Sequence, residues 1–415
     1  MQKSSISYIL RLSIPIFFAN LAIPMVGIID TALMGNLENL SYLSATSIAA
    51  NLFSMIFWSF GFLRMGTVGM VSQAHGQNNY KEILNIILRN LLFVFTIALL
   101  ILITQYFKIR IYSAPGELTL YIITGLFIGL QKTKISSLAV GFFSILNILL
   151  SILFVTKYDL NIRGVAYGTL YSAIITTVIF LIYTFYYLSK HVSLKIDLKE
   201  LIDINKIKNI FDINFNIFIR TILLTFSFLW FTYLGTQIGE DYIAANTILI
   251  NLVFLSAFIL DAYAFSTEGM VGYSLGKKDL SLFKTIIKNS FILSSITGLI
   301  ISIVYFLANQ YVINLMSDIE EIRILSSQYV IWLIILPFIA SFCYQFDGIF
   351  IGVSQTKELR NAMIFSVFCY LIISIFLTKY FSNTGVWISL CIFMILRATS
   401  LYYYLDTIYL RFSRG

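Results

Sequence analysis

Ionisable side chains stand inside stretches that are otherwise apolar: Asp30 in GIIDTALMG, Arg64 in GFLRMGT, Asp261 and Glu268 in FILDAYAFSTEGM, and Asp347 in YQFDGIFIG. A charge in hydrocarbon is costly, so each must face a wet cavity, pair with an opposite charge or, for a carboxylate, take up a proton. Cyclic protonation and ion pairing are the chemistries on offer. Asp30 follows Pro15 and Pro24, helix breakers that leave carbonyls unpaired and permit a bend, which gives the segment a way to change shape when the charge disappears. The alternative is an interfacial Asp30 that stays hydrated near the membrane surface. Ser144, Asn147 and Ser151 recur at helical spacing, as do Gly168, Ser172 and Thr176. Such stripes either line a wet cavity with Asp30 or mark close helix packing. Arg64 and Asp261 are too costly to leave unpaired and are expected to form, or with Glu268 to help form, an ion pair that either breaks during a working cycle or holds the fold statically. Asp347 either binds a coupling cation or makes a structural hydrogen bond to a neighbouring helix. Glu117, in SAPGELTLY, has no role legible in the sequence.

The elements that carry these residues follow from composition. Of 415 residues, 59% are hydrophobic and 12% charged, against about 45–50% and about 25% in soluble domains. Apolar runs long enough to cross a bilayer as helices recur along the whole chain, so an all-α polytopic membrane protein is expected. About twelve spans are placed at 8–34, 43–74, 83–104, 107–131, 135–156, 164–188, 213–236, 242–275, 285–308, 327–352, 361–378 and 385–409. Loops on the N-terminal side hold fifteen Lys or Arg from Lys3 to Arg414, and the opposite loops hold six. Both termini should therefore be cytoplasmic in a bacterial plasma membrane. The net charge of +8 is read as this topology signal rather than as a nucleic-acid surface. The first apolar run is long, proline-interrupted and lacks a small-residue cleavage site, so no cleavable targeting segment is expected. Cys343, Cys369 and Cys391 lie in apolar spans without metal spacing and read as packing residues.

The chain repeats itself. TVGMVSQAHG, ending at Gly76, aligns with TEGMVGYSLG, ending at Gly276, and the same offset of 200 pairs Gly35 with Gly235, Ala45 with Ala245 and Asn51 with Asn251. Across 35–76 about eleven of 42 positions are identical. IGLQKTK at Ile128 matches IGVSQTK at Ile351, an offset larger by 23 residues, so the first copy is shortened near LITQYFKIR, where its third and fourth spans join. Two six-helix lobes, 1–189 and 213–415, joined by a charged and partly helical cytoplasmic linker at 190–212, are expected. Such parallel repeats are an arrangement of secondary transporters.

The segments FWSFGFLRMGTVGMVSQAHG, IRIYSAPGELTLYIITGLFIGLQ, FLSAFILDAYAFSTEGMVG and FDGIFIGVSQT resemble the multidrug and toxic compound extrusion (MATE) family, in its DNA-damage-inducible protein F (DinF) branch. The resemblance covers nearly the whole chain. It implies a V-shaped, two-lobed antiporter that exports small organic, often cationic compounds in exchange for protons or sodium, working as a monomer. Asp30 with Thr31 matches the family's helix 1 aspartate, the coupling residue, and Pro15 matches the proline that bends this helix. Asn147 matches the helix 5 asparagine beside that aspartate, while Ser151 stands where the family pattern has a second aspartate. That departure puts coupling stoichiometry or ion choice in doubt. Asp261 and Glu268 match the helix 8 acidic pair, Asp347 the helix 10 aspartate and Arg64 the helix 2 arginine.

Three readings follow. The first is a cation-coupled, proton-driven exporter of organic molecules working by alternating access, with the bilayer, the substrate and the coupling H⁺ or Na⁺ as partners. The second is a flippase of lipid-linked or other amphipathic substrates from the same superfamily. The third is a reduced, non-transporting membrane protein, suggested by the shortened first copy and Ser151. No enzyme, cofactor, structural metal or nucleic-acid partner is expected. GYSLG at Gly272–Gly276 has the G-x-S-x-G spacing but ends a membrane helix, with no strand to make Ser274 a nucleophile elbow. His75 and His191 lie in loops without triad or zinc partners.

Overall fold

A computed structural model describes residues 4–35, 59–103, 109–193 and 198–413. Among these residues every regular element is helical, as it must be where segments satisfy their own backbone in hydrocarbon. The long helices are α1 (Ile6–Gly35), α2 (Phe62–Gly76), α3 (Tyr80–Ile103), α4 (Ala114–Gly129), α5 (Thr133–Ile152) and α6 (Asn161–Ser189). The second copy continues with α7 (Ile204–Thr236), α8 (Glu240–Gly276), α9 (Leu280–Met316) and α10 (Val330–Gly352). The run Thr356–Tyr403 breaks at Ser382, where φ is 50° and ψ −134°, into α11 (356–381) and α12 (383–403). These helices follow the twelve expected spans in order, in two pseudo-symmetric lobes of six. Nine stretches among the described residues are long and apolar enough to cross a membrane, the last of them, Thr356–Phe412, containing both α11 and α12. The start of the second span and the join between α3 and α4 lie outside the described residues.

Local chemistry sets several boundaries. α7 begins before the expected 213 because the Asp203 carboxylate caps it, accepting from the Asn205 and Lys206 amides at 2.9 and 3.3 Å. Asp279 caps α9 through the Leu282 amide at 2.9 Å. The turns after α2 and α8 pass through left-handed residues at repeat-equivalent positions, Asn78 (φ 57°) and Lys278 (φ 59°), and those after α4 and α10 do so at Gln131 (57°) and Ser354 (56°). The repeat is thus present in backbone conformation as well as in sequence. Among the described residues α3 has 24 residues against 37 in α9, and in the second copy the helix Glu320–Gln328 precedes α10. α1 stays helical through Pro15 and Pro24.

Large apolar side chains face outward, as lipid contact requires: Phe18, Phe95, Leu307 and Phe368 are all more than half exposed. Inside, α2, α3 and α4 share a buried core that also takes Ile210, Ile213 and Ile217 from the start of α7. Reciprocally, Ile9 and Leu12 from the start of α1 are buried with residues of α8, α9 and α10. α1 and α7 are the equivalent first helices of the two copies, and each packs its starting turns against the opposite copy. A separate core fills the second lobe around Trp387, Tyr370 and Phe393.

Candidate functional site

Arg64, on the first turn of α2, and Glu268, near the end of α8, meet across the two lobes at 3.0 Å, with side chains 10% and 2% exposed. The Arg64 guanidinium also lies over the Phe265 ring, 3.7 Å from its centroid, a favourable cation–π placement. Of the two acids expected to answer Arg64, Glu268 takes the pair. Asp261, two turns back along α8, makes no salt bridge among the described residues and stands in the combined field of Arg64, Arg220, Asp347 and Arg397.

Asp347 on α10 is held by two arginines, Arg220 from α7 and Arg397 from α12, both on Oδ2, with the Arg397 contact at 2.6 Å. Sequence reading missed both arginines. Each is a lone charge in an apolar run, FNIFIRTILL and FMILRATS, the same signal that singled out Arg64. Arg397 is almost wholly buried and lies 5.5 Å from the Phe393 ring centroid. The arrangement ties three helices together, and a further cation at Asp347 would meet two positive charges already in place. Asp347 Oδ1 and the Nε atoms of Arg220 and Arg397 have no hydrogen-bond partner among the described residues.

In the first lobe, Asn147 on α5 donates from Nδ2 to Thr169 Oγ1 on α6 at 3.0 Å, while its Oδ1 and the hydroxyls of Ser151 and Thr176 are buried without partners among the described residues. Ser151 is pressed against Gly168: a Cβ built on that glycine would stand 2.5 Å from Ser151 Oγ and 2.8 Å from its backbone nitrogen. Close helix packing therefore accounts for this part of the stripe. α1 runs along α5, but the side chains of Asp30 and Thr31 lie outside the described residues. Pro15 sits between two bonds from α1 to α8, Ser13 Oγ to Ser266 Oγ at 2.7 Å and Asn20 Nδ2 to the Phe258 carbonyl at 3.0 Å. Glu117 binds Arg110 and Ser113, closing the 3-10 turn Arg110–Ser113 onto the first turn of α4. Ser274 is buried and donates to the Val271 carbonyl.

Glycines bring the lobes together at the end that carries Asn78 and Lys278. A Cβ on Gly76 would lie 2.2 Å from the Tyr273 carbonyl oxygen, and one on Gly276 would lie 2.0 Å from that of Gln73. Gly69 and Gly269 repeat the pattern against the Ile351 and Ile128 carbonyls at 2.4 and 2.5 Å. Gln73 Nε2 reaches across to Ser354 Oγ at 2.9 Å. Only glycine allows backbones this close. One end is thus sealed by symmetric backbone contact, and beyond it stand the buried charges.

Residues 15–105 and 217–379 match the MatE family model. The chain is 28% identical to DNA damage-inducible protein F of Escherichia coli, over 94% of this chain and 90% of that one. It is 24% identical to a multidrug export protein MepA of Staphylococcus aureus, over 64% and 63%. Its fold superposes on a MATE transporter in the straight conformation with a TM-score of 0.89, at 17% identity, covering 98% of this chain and 96% of that one. A mutant of the Vibrio cholerae MATE transporter VcmN gives 0.85 at 16% identity, covering 99% and 96%.

Proposed function

The chain belongs to the MatE family of multidrug efflux transporters, and from that premise we propose that it is a proton-coupled antiporter exporting small organic, often cationic compounds by alternating access. The observation that carries the reading is the Arg64–Glu268 pair: a buried ion pair joins the two lobes next to a glycine seal at one end. Reversible opening of such a pair exchanges one face for the other without rebuilding either lobe. With the basic end in the cytoplasm, the described arrangement is closed toward the cytoplasm. Asp30 is the coupling carboxylate in this scheme, and Glu268 is the latch whose neutralisation releases Arg64. A monomer in the plasma membrane suffices for the cycle.

The test is uptake of a fluorescent organic cation into everted vesicles driven by a proton gradient or a sodium gradient. Wild-type uptake should follow the proton gradient and fall at least about tenfold in Asp30→Asn, the loss expected when a driving ion is uncoupled. Uptake that survives Asp30→Asn would end the role given to Asp30. Sodium-driven uptake would replace the proton.

A second reading keeps the cargo amphipathic and anionic, as for a flippase. It rests on the second lobe's buried charges, where Arg220 and Arg397 share the single carboxylate of Asp347 and leave a local excess of positive charge. Transfer of a labelled anionic lipid between leaflets of proteoliposomes, with no flux of the organic cation, would favour it.

A further inference from the structure

α3 and α7 share a face whose character changes with depth. On α3 it runs Glu82, Ile86 and Arg89, then Phe93 and Ile97, all at helical spacing. On α7 it begins with Lys206 and Asn209 and continues through Phe211, Asn214, Phe215 and Phe218. At the basic end the two helices enclose a cavity of about 260 Å³, completed by Gln73 of α2 and by Arg411 from the helix Leu405–Ser413. Three cations, Arg89, Lys206 and Arg411, line it against the single carboxylate of Glu82. Glu82 is already committed, accepting from Arg89 at 3.1 Å and Lys206 at 2.8 Å. Arg89 spends its remaining directions on the Glu200 and Leu201 carbonyls. Lys206 gives one bond to Glu82 and Arg411 one to the Val353 carbonyl, with Glu200 and Glu358 the nearest further acids, so the lining itself keeps an excess of positive charge.

One to two turns deeper lies a second cavity of about 190 Å³ walled by Phe60, Phe62, Phe93, Phe211, Phe215 and Phe218. Edge contacts of 5.6 Å between Phe62 and Phe218 and 6.4 Å between Phe93 and Phe211 fix its shape. Phe211 and Phe215 are about half exposed, so the trough opens sideways toward hydrocarbon. Asn214 borders it, 1% exposed, with its amide packed against α2: a Cβ built on Gly66 would stand 2.2 Å from Asn214 Oδ1.

We propose that this groove holds one anionic phospholipid: phosphate at Lys206 and Arg411, and an acyl chain along the phenylalanine trough. A soluble phosphate would use the first cavity and leave the apolar second one, open toward hydrocarbon, unfilled. The lipid would touch α2 and α3 of the first copy, the start of α7 and the chain's last helix, bracing the end where the lobes meet. The inference stands apart from the transport reading, because it concerns a bound lipid and does not depend on the cargo.

The 415-residue chain, purified in a neutral detergent and stripped of lipid, is titrated with dioleoyl-phosphatidylglycerol, dioleoyl-phosphatidylcholine or sodium phosphate, and bound species are counted by native mass spectrometry. One equivalent of phosphatidylglycerol should bind at least about tenfold more tightly than phosphatidylcholine, and Lys206→Gln with Arg411→Gln should weaken it about 30-fold. Arg411→Gln alone, at an exposed position, should weaken it by about a fifth as much in ratio, and unchanged melting without lipid shows that either variant is folded. Equal binding of the two lipids, or undiminished phosphatidylglycerol binding in the folded charge variants, overturns the proposal. So does sodium phosphate binding as tightly as phosphatidylglycerol, which would mark a headgroup-only ion site.

Discussion

The two copies keep their glycines and divide their charges. Gly69, Gly76, Gly125 and Gly129 all have counterparts in Gly269, Gly276, Gly348 and Gly352, and the close contacts are conserved in kind: a Cβ on Gly125 would lie 2.7 Å from the Arg64 carbonyl oxygen, and one on Gly348 would lie 2.7 Å from that of Ala264, the repeat-equivalent residue. The buried charges follow no such rule. Arg64 faces Ala264 in the repeat, Glu268 faces Val68, Asp347 faces Thr124, and Arg220 faces Asn20. Asp30 itself corresponds to Trp230, whose indole donates to Ser374 Oγ at 2.9 Å. Backbone approach is a requirement that each copy must meet for itself, whereas a charge needs only one partner anywhere in the finished fold. The chemistry therefore belongs to the pairing of two unlike halves.

The largest effect should come from the most asymmetric position. Asp347→Asn leaves Arg220 and Arg397 buried without a full counter-charge and should destabilise the protein by about 3–5 kcal/mol. Thr124→Val, at the matching place in the first copy, removes only a hydroxyl bond to the Tyr121 carbonyl and should cost about 1 kcal/mol. Thermal unfolding in neutral detergent measures both, and equal losses would erase the asymmetry. Next comes the bridge between lobes. Arg64→Gln strands Glu268 and should cost about 3 kcal/mol. Arg64→Glu combined with Glu268→Arg should recover at least about half of that if the pair acts by its charge. A swap no better than the single variants would show that Phe265 and the local packing around Arg64 matter more than the ion pair.

How much of this could be read in the sequence depended on how far each partner lies along the chain. The helices and the repeat were legible because periodic apolar runs and paired motifs are local signals. Arg220 and Arg397 carry the same lone-charge signal as Arg64, but no paired motif marks either of them, and their partner Asp347 lies 127 and 50 residues away. The repeat placed Arg64 level with Ala264, one turn from either Asp261 or Glu268, and only the rotation of α8 against α2 decides for Glu268. Lys206, Lys208 and Asp212 suggested a linker where α7 is already helical, because a capped helix can extend beyond the bilayer with its charges in water. At Ser151 the sequence showed a missing carboxylate; the contact with Gly168 shows how little room the backbone leaves beside it.

Smaller effects test the symmetric half of the comparison. Gly76→Ala and Gly276→Ala each push a methyl group into a carbonyl of the opposite lobe, at 2.2 and 2.0 Å, and should cost about 1–3 kcal/mol apiece. Because the contacts are equivalent, the two losses should agree within about 0.5 kcal/mol; a clear inequality would mean that the seal is held mainly from one side. The smallest expected change has the opposite sign. Gly141 on α5 has nothing among the described residues within 4 Å of its missing Cβ, so Gly141→Ala only removes backbone freedom from a helix interior and should stabilise by about 0.5–1 kcal/mol. If Gly141→Ala destabilised as much as Gly76→Ala, the cost at the seam could not be assigned to the approach of the two lobes, since one substitution meets a neighbouring backbone and the other meets open space.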